Sequence, residues 1–172
     1  MRAGDLPCRW GGGTMIRLAT IDDLSVILEI FEAGRAYMRQ TGNLTQWADG
    51  YPNEQIICAD IAAGECYVLE QDGVHAVFTL LSAPDPTYAY IEDGAWPHDL
   101  PYGTIHRIAS DGKIRGVVQK AVDFALTKHT VLRCDTHKDN LPMQGALGAA
   151  GFQRCGVIYL ENGDPREAYQ RG

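Results

Sequence analysis

The sequence predicts one domain of the α/β (α+β) class, in which about seven strands and about four helices follow one another along 172 residues. Three observations support this prediction. Several segments repeat apolar residues at helical spacing, and short β-branched runs bounded by turn residues separate them. Apolar residues make up 45% of the chain. A chain of this length buries roughly 70% of its unfolded surface, which is enough for one core.

Charge and composition exclude several classes of protein. The formal net charge of −7 argues against nucleic-acid binding, which needs a basic face. No apolar run reaches the roughly 18 residues of a membrane helix, and no segment has the pattern of a signal peptide, so no membrane partner is expected. The five cysteines are scattered and form no Cys-x-x-Cys pair, which favours a cytoplasmic location over a disulfide framework or a zinc site.

Residues 1–14 are interpreted as a leader or tag-like segment. Their apolar residues show no periodicity, and Gly11 to Gly13 are typical of a linker. A clean strand pattern begins at Met15. We therefore expect the domain to span residues 15–172.

The first part of the domain predicts a strand and two helices. The strand covers residues 15–19. Thr20 and Asp23 then match a capping box, and the helix that they open should end near Gly42. A second helix is predicted over residues 53–63.

A hairpin and a long connection precede the central strand. Two β-rich runs, 66–70 and 75–81, flank Asp72-Gly73, which is a strong hairpin signal. Residues 82–102 are rich in proline and aromatic residues, and a connection of this length is usually functional. Because it leads into a central strand over residues 104–109, we expect it to lie across the mouth of the site that this strand serves.

Two glycines and two cations join the central strand to the next helix, which is predicted over residues 114–125. The first turn of a helix has N–H groups without internal partners and carries the positive end of the macrodipole. Lys113 and Arg115 add charge between Gly112 and Gly116, and a bound phosphate would explain cations at this end. The alternative is a plain turn with solvated cations. The stretch fits neither the nucleoside-triphosphate loop nor the dinucleotide fingerprint.

The rest of the chain predicts a strand, a helix and a closing hairpin. Gly145 and Gly148 lie inside the helix and should cost about 1 kcal/mol each, so close packing is expected to compensate there. The predicted elements are a strand over residues 130–135, a helix over 141–150, and strands over 155–160 and 166–170.

The stretch from Lys113 to Val118 resembles motif A of the GNAT superfamily of N-acetyltransferases. That motif follows a strand and reads Arg/Gln-x-x-Gly-x-Gly/Ala. Gly116 matches it, whereas Lys113 replaces Arg or Gln and Val118 replaces Gly or Ala.

A second stretch resembles motif B of the same family, in which a helix beginning Asn-x-x-small is followed by Gly-Phe and a strand. Asn140, Met143 and Gly151-Phe152 stand at the matching spacing. The predicted order of elements resembles the family over residues 15–170.

The resemblance implies a mixed, mostly antiparallel, twisted sheet with acetyl-CoA as the cofactor. The implied reaction moves an acetyl group directly to a primary amine of a small molecule, an amino-acid derivative or a peptide. The backbone of Ile108 and Ser110 would bind the pantetheine arm, and Asn140 would touch the pantetheine or nucleotide end or act as an N-cap. The resemblance assigns the pyrophosphate to Gly112, Lys113, Ile114, Arg115, Gly116, Val117 and Val118.

Two departures from the family pattern leave an alternative open. The tyrosine that often protonates the thiolate in this family would fall at Leu147, which cannot donate a proton. Val118 replaces a small residue that lets the pyrophosphate approach. A non-catalytic acyl-CoA-binding module is therefore the rival prediction, and a phosphate-binding domain for another nucleotide is a third.

Two side chains are candidates for the proton transfers of amine acetylation. An alkyl amine has a pKa near 10.4, so a base must remove its proton, and the thiolate must accept one. His106 on the central strand is the candidate base, with a hydrogen-bonded core histidine as the alternative. Tyr159 is the candidate acid, with simple packing as the alternative.

Three aromatic residues are candidates for the acceptor pocket: Trp47, Tyr90 and Trp96. For Trp47 the default interpretation is a hydrophobic plug after the first helix. No metal is expected, since Asp135 and His137 share one strand face without a third ligand nearby in sequence. The acidic balance favours a cationic acceptor. The oligomeric state is not determined by the sequence, and a homodimer is one possible state.

Overall fold

The computed structural model describes residues 7–172 and shows an eight-stranded sheet with helices on both faces. Its strands are β1 Cys8–Trp10, β2 Thr14–Leu18, β3 Cys66–Glu70, β4 Val74–Leu81, β5 Gly103–Ser110, β6 Leu132–Thr136, β7 Gln153–Tyr159 and β8 Pro165–Arg171. Its α-helices are α1 Leu24–Gln40, α2 Glu54–Ala62, α3 Val117–Leu126 and α4 Leu141–Ala149.

The sheet is mixed and mostly antiparallel, as predicted. Its strand order is β1-β2-β3-β4-β5-β6-β8-β7, and β5–β6 is the parallel pair. The sheet has one strand more than predicted, and this additional strand is β1, which pairs with β2. Its Trp10 packs edge-on against Phe124, with 6.3 Å between the ring centroids. This strand falls inside the segment interpreted as a leader, of which residues 1–6 lie outside the described residues. The domain boundary at residue 15 stays a prediction.

The two faces of the sheet carry different helices. In β4, Phe78 points towards α3 and α4 and packs with Val122 and Leu147. Its neighbour Val77 points the opposite way and packs with Phe31 of α1. This alternation follows from the pleat of a strand, which sends successive side chains to opposite faces.

The connection 82–102 covers the end of the sheet that α1 and α2 leave open. Its Tyr88 packs with Ile158 and Ala168 of the closing hairpin. A short 3₁₀ helix, Pro86–Tyr88, interrupts the connection. Further along, Glu92 forms an isolated antiparallel bridge with Val157 of β7.

Local signals explain where the helices begin. The capping box of Thr20 and Asp23 is present, and it opens a 3₁₀ turn that leads into α1. Helix α3 begins at Val117 rather than at the predicted residue 114, because Gly116 has φ 66° and ψ 35°, which a right-handed helix does not allow. Ile114 is buried in the core nevertheless.

The prediction of close packing at the glycines of α4 is wrong. A methyl group built on Gly145 or Gly148 would meet nothing within 4 Å, and both residues are exposed. Leu147 anchors the helix instead, with 1% of its surface exposed.

Within residues 7–172, no helix combines the length and the apolar character needed to cross a membrane.

Candidate active site

A cleft opens where β5 and β6 separate. The two strands pair only at Gly103–Leu132 and Thr104–Arg133, although β5 continues to Ser110. The cleft draws its walls from both faces of the sheet, with α1 on one side and α3 and α4 on the other. Its lining includes these predicted residues: Trp47, Ile108, Ser110, Val117, Val118 and Asn140.

A bulge in β5 sits just before the cleft. Arg107 has φ 47°, which is uncommon for a residue with a Cβ, and the pairing with β4 shifts between Val77 and Thr79. The guanidinium is held by Asp60 of α2 through two hydrogen bonds of 2.7 and 2.9 Å, and Asp60 also accepts from Thr79 at 2.8 Å. This largely buried bidentate pair fixes the bulge, and with it the position of Ile108 in the cleft wall.

The loop between β5 and α3 is shaped by its own side chains. Ser110 Oγ accepts a hydrogen bond from the Gly112 N–H, and Asp111 Oδ1 accepts one from the Lys113 N–H, each at 3.0 Å. Asp111 Oδ2 lies 2.7 Å from Nδ1 of His75 on β4. Partial burial opposes ionisation of Asp111, but the hydrogen bonds from His75 and the Lys113 backbone lower its pKa. The carboxylate therefore ties this loop to the sheet.

The N-terminus of α3 has the features of an anion site. Gly116 precedes the helix in the left-handed conformation, and no side chain caps the first turn. Lys113 and Arg115 are exposed beside it, and Lys120 Nζ donates to the Arg115 carbonyl at 2.7 Å. Uncapped N–H groups, a helix dipole and nearby cations suit a phosphate-bearing group, so the residues present fit the pyrophosphate of coenzyme A.

A buried polar network joins α4 to the loop after α1. Asn140 caps α4 by accepting from the Met143 N–H at 3.2 Å, which confirms its predicted N-cap role. Its amide donates to Gln46 Oε1 at 3.0 Å, and Asn43 donates to the same oxygen at 2.7 Å. Because these groups are buried and mutually bonded, the two walls of the cleft are held at a fixed separation.

His106 lies on β5 two residues before Ile108 and contacts two carboxylates. Its Nε2 is 2.7 Å from Asp85 Oδ2, and its Nδ1 is 3.8 Å from Asp135 Oδ2. The first distance is a hydrogen bond, whereas the second is too long for one. With Asp85 ionised, the proton of the neutral ring belongs on Nε2, which leaves the Nδ1 lone pair free to accept a proton.

The surroundings of His106 hold both carboxylates in place. Burial opposes ionisation of Asp85, but hydrogen bonds from His106 and Thr87 outweigh it and lower the pKa of Asp85 to about 2. Burial and the charge of Asp135 raise the pKa of Tyr88 well above its usual value. The protonated phenol of Tyr88 donates to Asp135 Oδ2 at 2.7 Å. Asp85 therefore stays a hydrogen-bond acceptor throughout the neutral range.

One solved structure decides which family this architecture belongs to. An acetyltransferase of the GNAT family from Streptococcus agalactiae is 35% identical to this chain, with 95% of this chain and 98% of that one covered and a TM-score of 0.86. The chain belongs to the GNAT family of acetyltransferases.

Other acetyltransferase structures share the GNAT fold at lower identity. A GNAT-family acetyltransferase from Listeria monocytogenes is 20% identical, with 96% of this chain and 99% of that one covered and a TM-score of 0.67. The yncA acetyltransferase structure from Salmonella typhimurium, which contains its cofactor acetyl-CoA, is 15% identical, with 92% of each chain covered and a TM-score of 0.60. No protein-family model and no curated protein matches the sequence.

The aromatic residues predicted for the acceptor pocket of this GNAT protein are not brought together. Trp47 lines the cleft and packs edge-on at 5.5 Å from Phe31, so it serves as both wall and hydrophobic plug. Trp96 belongs to the connection 82–102, where its Nε1 donates to the Tyr88 carbonyl at 2.8 Å. Tyr90 is 63% exposed and packs at 6.5 Å from Tyr159.

The structure places Tyr159 at the exposed end of β7 rather than at the cleft. Its hydroxyl donates to Glu92, and that hydrogen bond raises the pKa of Tyr159. Leu147, the residue predicted to stand at the family's tyrosine position, is buried in the core. Among the residues that line the cleft, the titratable side chain is that of Tyr37. Within residues 7–172, no group of three metal-binding side chains forms.

Sequence reasoning missed the partners of His106 and the support of the bulge. Asp85 belongs to an irregular connection, and its approach to β5 depends on a conformation that no local pattern specifies. The Asp85-Pro86 pair was visible as an Asx-type turn start, which is a signal for the turn but not for its contact. Asp60 was hidden in a predicted helix, where an acidic residue is normally solvated.

Proposed function

We propose that this protein is an acetyl-CoA-dependent N-acetyltransferase that moves an acetyl group to a primary amine. The observation that carries the proposal is the position of His106 on β5. Further along the same strand, Ile108, Ala109 and Ser110 line the cleft. The strand is followed by the basic loop and then by α3, whose first turn has no side-chain cap. A donor site and a candidate base therefore lie on consecutive parts of one strand.

The donor would be held by residues that fit its two polar ends. The loop Gly112 to Gly116 and the first turn of α3 suit the pyrophosphate, and Ile108, Ser110 and Asn140 line the cleft. When bound, acetyl-CoA supplies an acetyl group on a thioester sulfur, so that the new C–N bond replaces the C–S bond and the sulfur takes up a proton. The acetyl-CoA bound to yncA supports this choice of donor.

His106 would take the proton from the acceptor amine. Its Nδ1 lone pair is free, and Asp85 on Nε2 orients the ring and stabilises the imidazolium that proton abstraction leaves. Asp135 at 3.8 Å from Nδ1 adds negative charge beside that imidazolium without occupying the nitrogen.

A non-catalytic acyl-CoA-binding module remains the second candidate, because Leu147 removes the family's usual proton donor. An acetyltransferase needs titratable groups near the thioester for its proton transfers, whereas a binding module does not. Tyr37 in the cleft wall and the His106–Asp85 pair, with His106 two residues before Ile108 on β5, favour the enzyme.

The test is coenzyme A release, followed with a thiol reagent, from acetyl-CoA and a panel of primary amines. We expect turnover by the wild type and a loss of roughly 10²- to 10⁴-fold in kcat for His106→Gln, because the base is removed. Titration calorimetry should show unchanged acetyl-CoA binding in this variant. His129→Gln is the matched control, since that imidazole contacts Ser82 at 3.2 Å, outside the cleft. Acetyl-CoA binding without turnover on any amine would support the binding module instead.

A further inference from the structure

A second cavity lies under the connection 82–102, next to His106. Its walls are aromatic and proline side chains with three charged residues among them. One of these is Asp85, whose carboxylate is hydrogen-bonded to His106. The cavity is therefore linked to the proposed base through Asp85.

Arg133 of β6 is a buried cation in the wall of this cavity. It is 4% exposed, and its guanidinium lies over the rings of Trp96 and Tyr102 at 4.0 and 4.1 Å. Nε donates to Gln170 Oε1 and Nη2 donates to the His98 carbonyl, each at 2.9 Å.

The guanidinium of Arg133 has no anionic partner within the described part of the chain. No carboxylate of residues 7–172 lies within 4.0 Å of it, and Nη1 makes no hydrogen bond there. By contrast, Arg107 of β5 is paired with Asp60. Buried charges are normally paired, and the planar guanidinium edge matches a carboxylate. Within the described residues, Arg133 is therefore a buried cation in the cavity wall without a paired carboxylate.

The same cavity also has carboxylates in its wall. Asp85 lines it and is held in its ionised form by His106 and Thr87, while exposed Asp99 also contributes to the wall. Two carboxylates would repel a dianion such as a phosphate monoester and attract an ammonium group. The cavity is thus lined both by a buried cation, Arg133, and by the ionised carboxylate of Asp85.

We propose that this cavity binds a free amino acid, with its carboxylate on Arg133 and its amino group towards Asp85, the hydrogen-bond partner of His106. The inference rests on the proposed function, in that the amino acid is then the acetyl acceptor. An amino acid carries a carboxylate and a reactive amine in one small molecule. It can therefore pair with the cation and with the carboxylate of the cavity at the same time. Simple amines and internal peptide lysines lack a carboxylate and can pair only with that of Asp85.

The test compares each of the twenty common L-amino acids, β-alanine and γ-aminobutyrate with its carboxamide as acceptor for the full-length protein. We expect at least one free acid to exceed its amide in kcat/KM by roughly 10- to 100-fold, because the amide cannot pair with a guanidinium charge. In Arg133→Gln the ratio of acid to amide should fall towards one, through a higher KM for the acid. Arg133→Lys, which keeps the charge without the fork, should retain part of the preference.

A second measurement keeps the proposal testable if Arg133→Gln does not fold. Without acetyl-CoA, the preferred free acid at millimolar concentration should raise the Tm of the wild type, and its carboxamide should not. Equal acetylation of acids and amides, together with normal acetyl-CoA binding, would overturn the amino-acid site and leave the proposed function standing. Stabilisation by the acid without acetyl-CoA binding would support the cavity and overturn the proposed function. The absence of any stabilisation or preference would overturn the cavity.

Discussion

At the scale of single residues, Asp85 links the stability of the protein to pH. Its folded pKa of about 2 lies below the ordinary value of 3.8, so the ionised carboxylate favours the folded state. The stabilisation is complete above the unfolded pKa and is lost as the pH falls through the folded one. From a shift of that size we expect a contribution of about 2 kcal/mol at neutral pH.

The check is the difference in unfolding free energy between the wild type and Asp85→Asn, measured with urea at a series of pH values. We expect a constant difference above about pH 5, shrinking between about pH 4 and pH 2. Asp99→Asn is the control, because Asp99 is an exposed carboxylate of the same connection. A difference that does not change with pH would show that Asp85 acts through packing alone.

The residue scale is also where sequence reasoning was weakest. His106 was identified as a candidate because it is a histidine on a central strand, but Asp85 and Asp135 were not assigned to it. Those contacts join residues that are far apart in the sequence, and they depend on how the connection 82–102 crosses the sheet. Local spacing carries no information about such a crossing.

At the scale of elements, α4 can be stabilised without touching the core. Gly145 and Gly148 are exposed helical residues with open space where a methyl group would go. We expect Gly145→Ala and Gly148→Ala each to raise the unfolding free energy by up to about 1 kcal/mol, because alanine loses less backbone entropy. Urea unfolding measures the change.

Gly151→Ala is the contrast for that experiment. Gly151 follows α4 with φ 88°, a conformation in which a Cβ is strained. This variant should be less stable than the wild type. Destabilisation of the variants at Gly145 and Gly148 as well would contradict the open space found around these two positions.

Most helices and strands were predicted close to their observed positions, because periodicity and turn residues are local properties of the sequence. The hairpin at Asp72-Gly73 and the capping box form as expected. The second helix begins at Glu54, one residue later than predicted, because Asn53 is its N-cap. The start of α3 was misplaced because the apolar stripe continues back to Ile114, whereas the backbone turns at Gly116. Strand β1 was missed because its short run has no periodicity.

At the scale of the whole molecule, the connection 82–102 depends on two glycines that let it approach β7. A Cβ on Gly156 would lie 2.5 Å from the Glu92 carbonyl oxygen, and one on Gly94 would collide with the Cys155 carbonyl. These contacts flank the bridge between Glu92 and Val157, which holds the connection to the sheet.

We expect Gly156→Ala to displace the connection and lower the unfolding free energy by a few kcal/mol, because backbone atoms cannot yield as a flexible side chain would. Since the connection carries Asp85, kcat should fall as well. Gly163→Ala in the same hairpin has a positive φ but open space, so it should cost only about 1 kcal/mol. Similar effects of the two substitutions would contradict a role for the close approach.

The strand order and the opening between β5 and β6 also belong to this scale. The family resemblance predicted a mixed, mostly antiparallel sheet, but neither the strand order nor this opening was predicted, because pairing between distant strands is fixed by the packing of the whole sheet. The second cavity was not foreseen at all, since its walls come from the connection 82–102 and β6 together.

The most direct test of the central claim is titration calorimetry of acetyl-CoA against the wild type, Gly116→Asn and Gly116→Asp. Asparagine and aspartate tolerate the left-handed conformation of Gly116 similarly, so the pair differs mainly by one negative charge at the start of α3. The account predicts binding to the wild type, weaker or equal binding to Gly116→Asn, and at least a tenfold further loss in Gly116→Asp, because that charge repels a pyrophosphate. Equal affinities of the two variants, or no binding to the wild type, would contradict it.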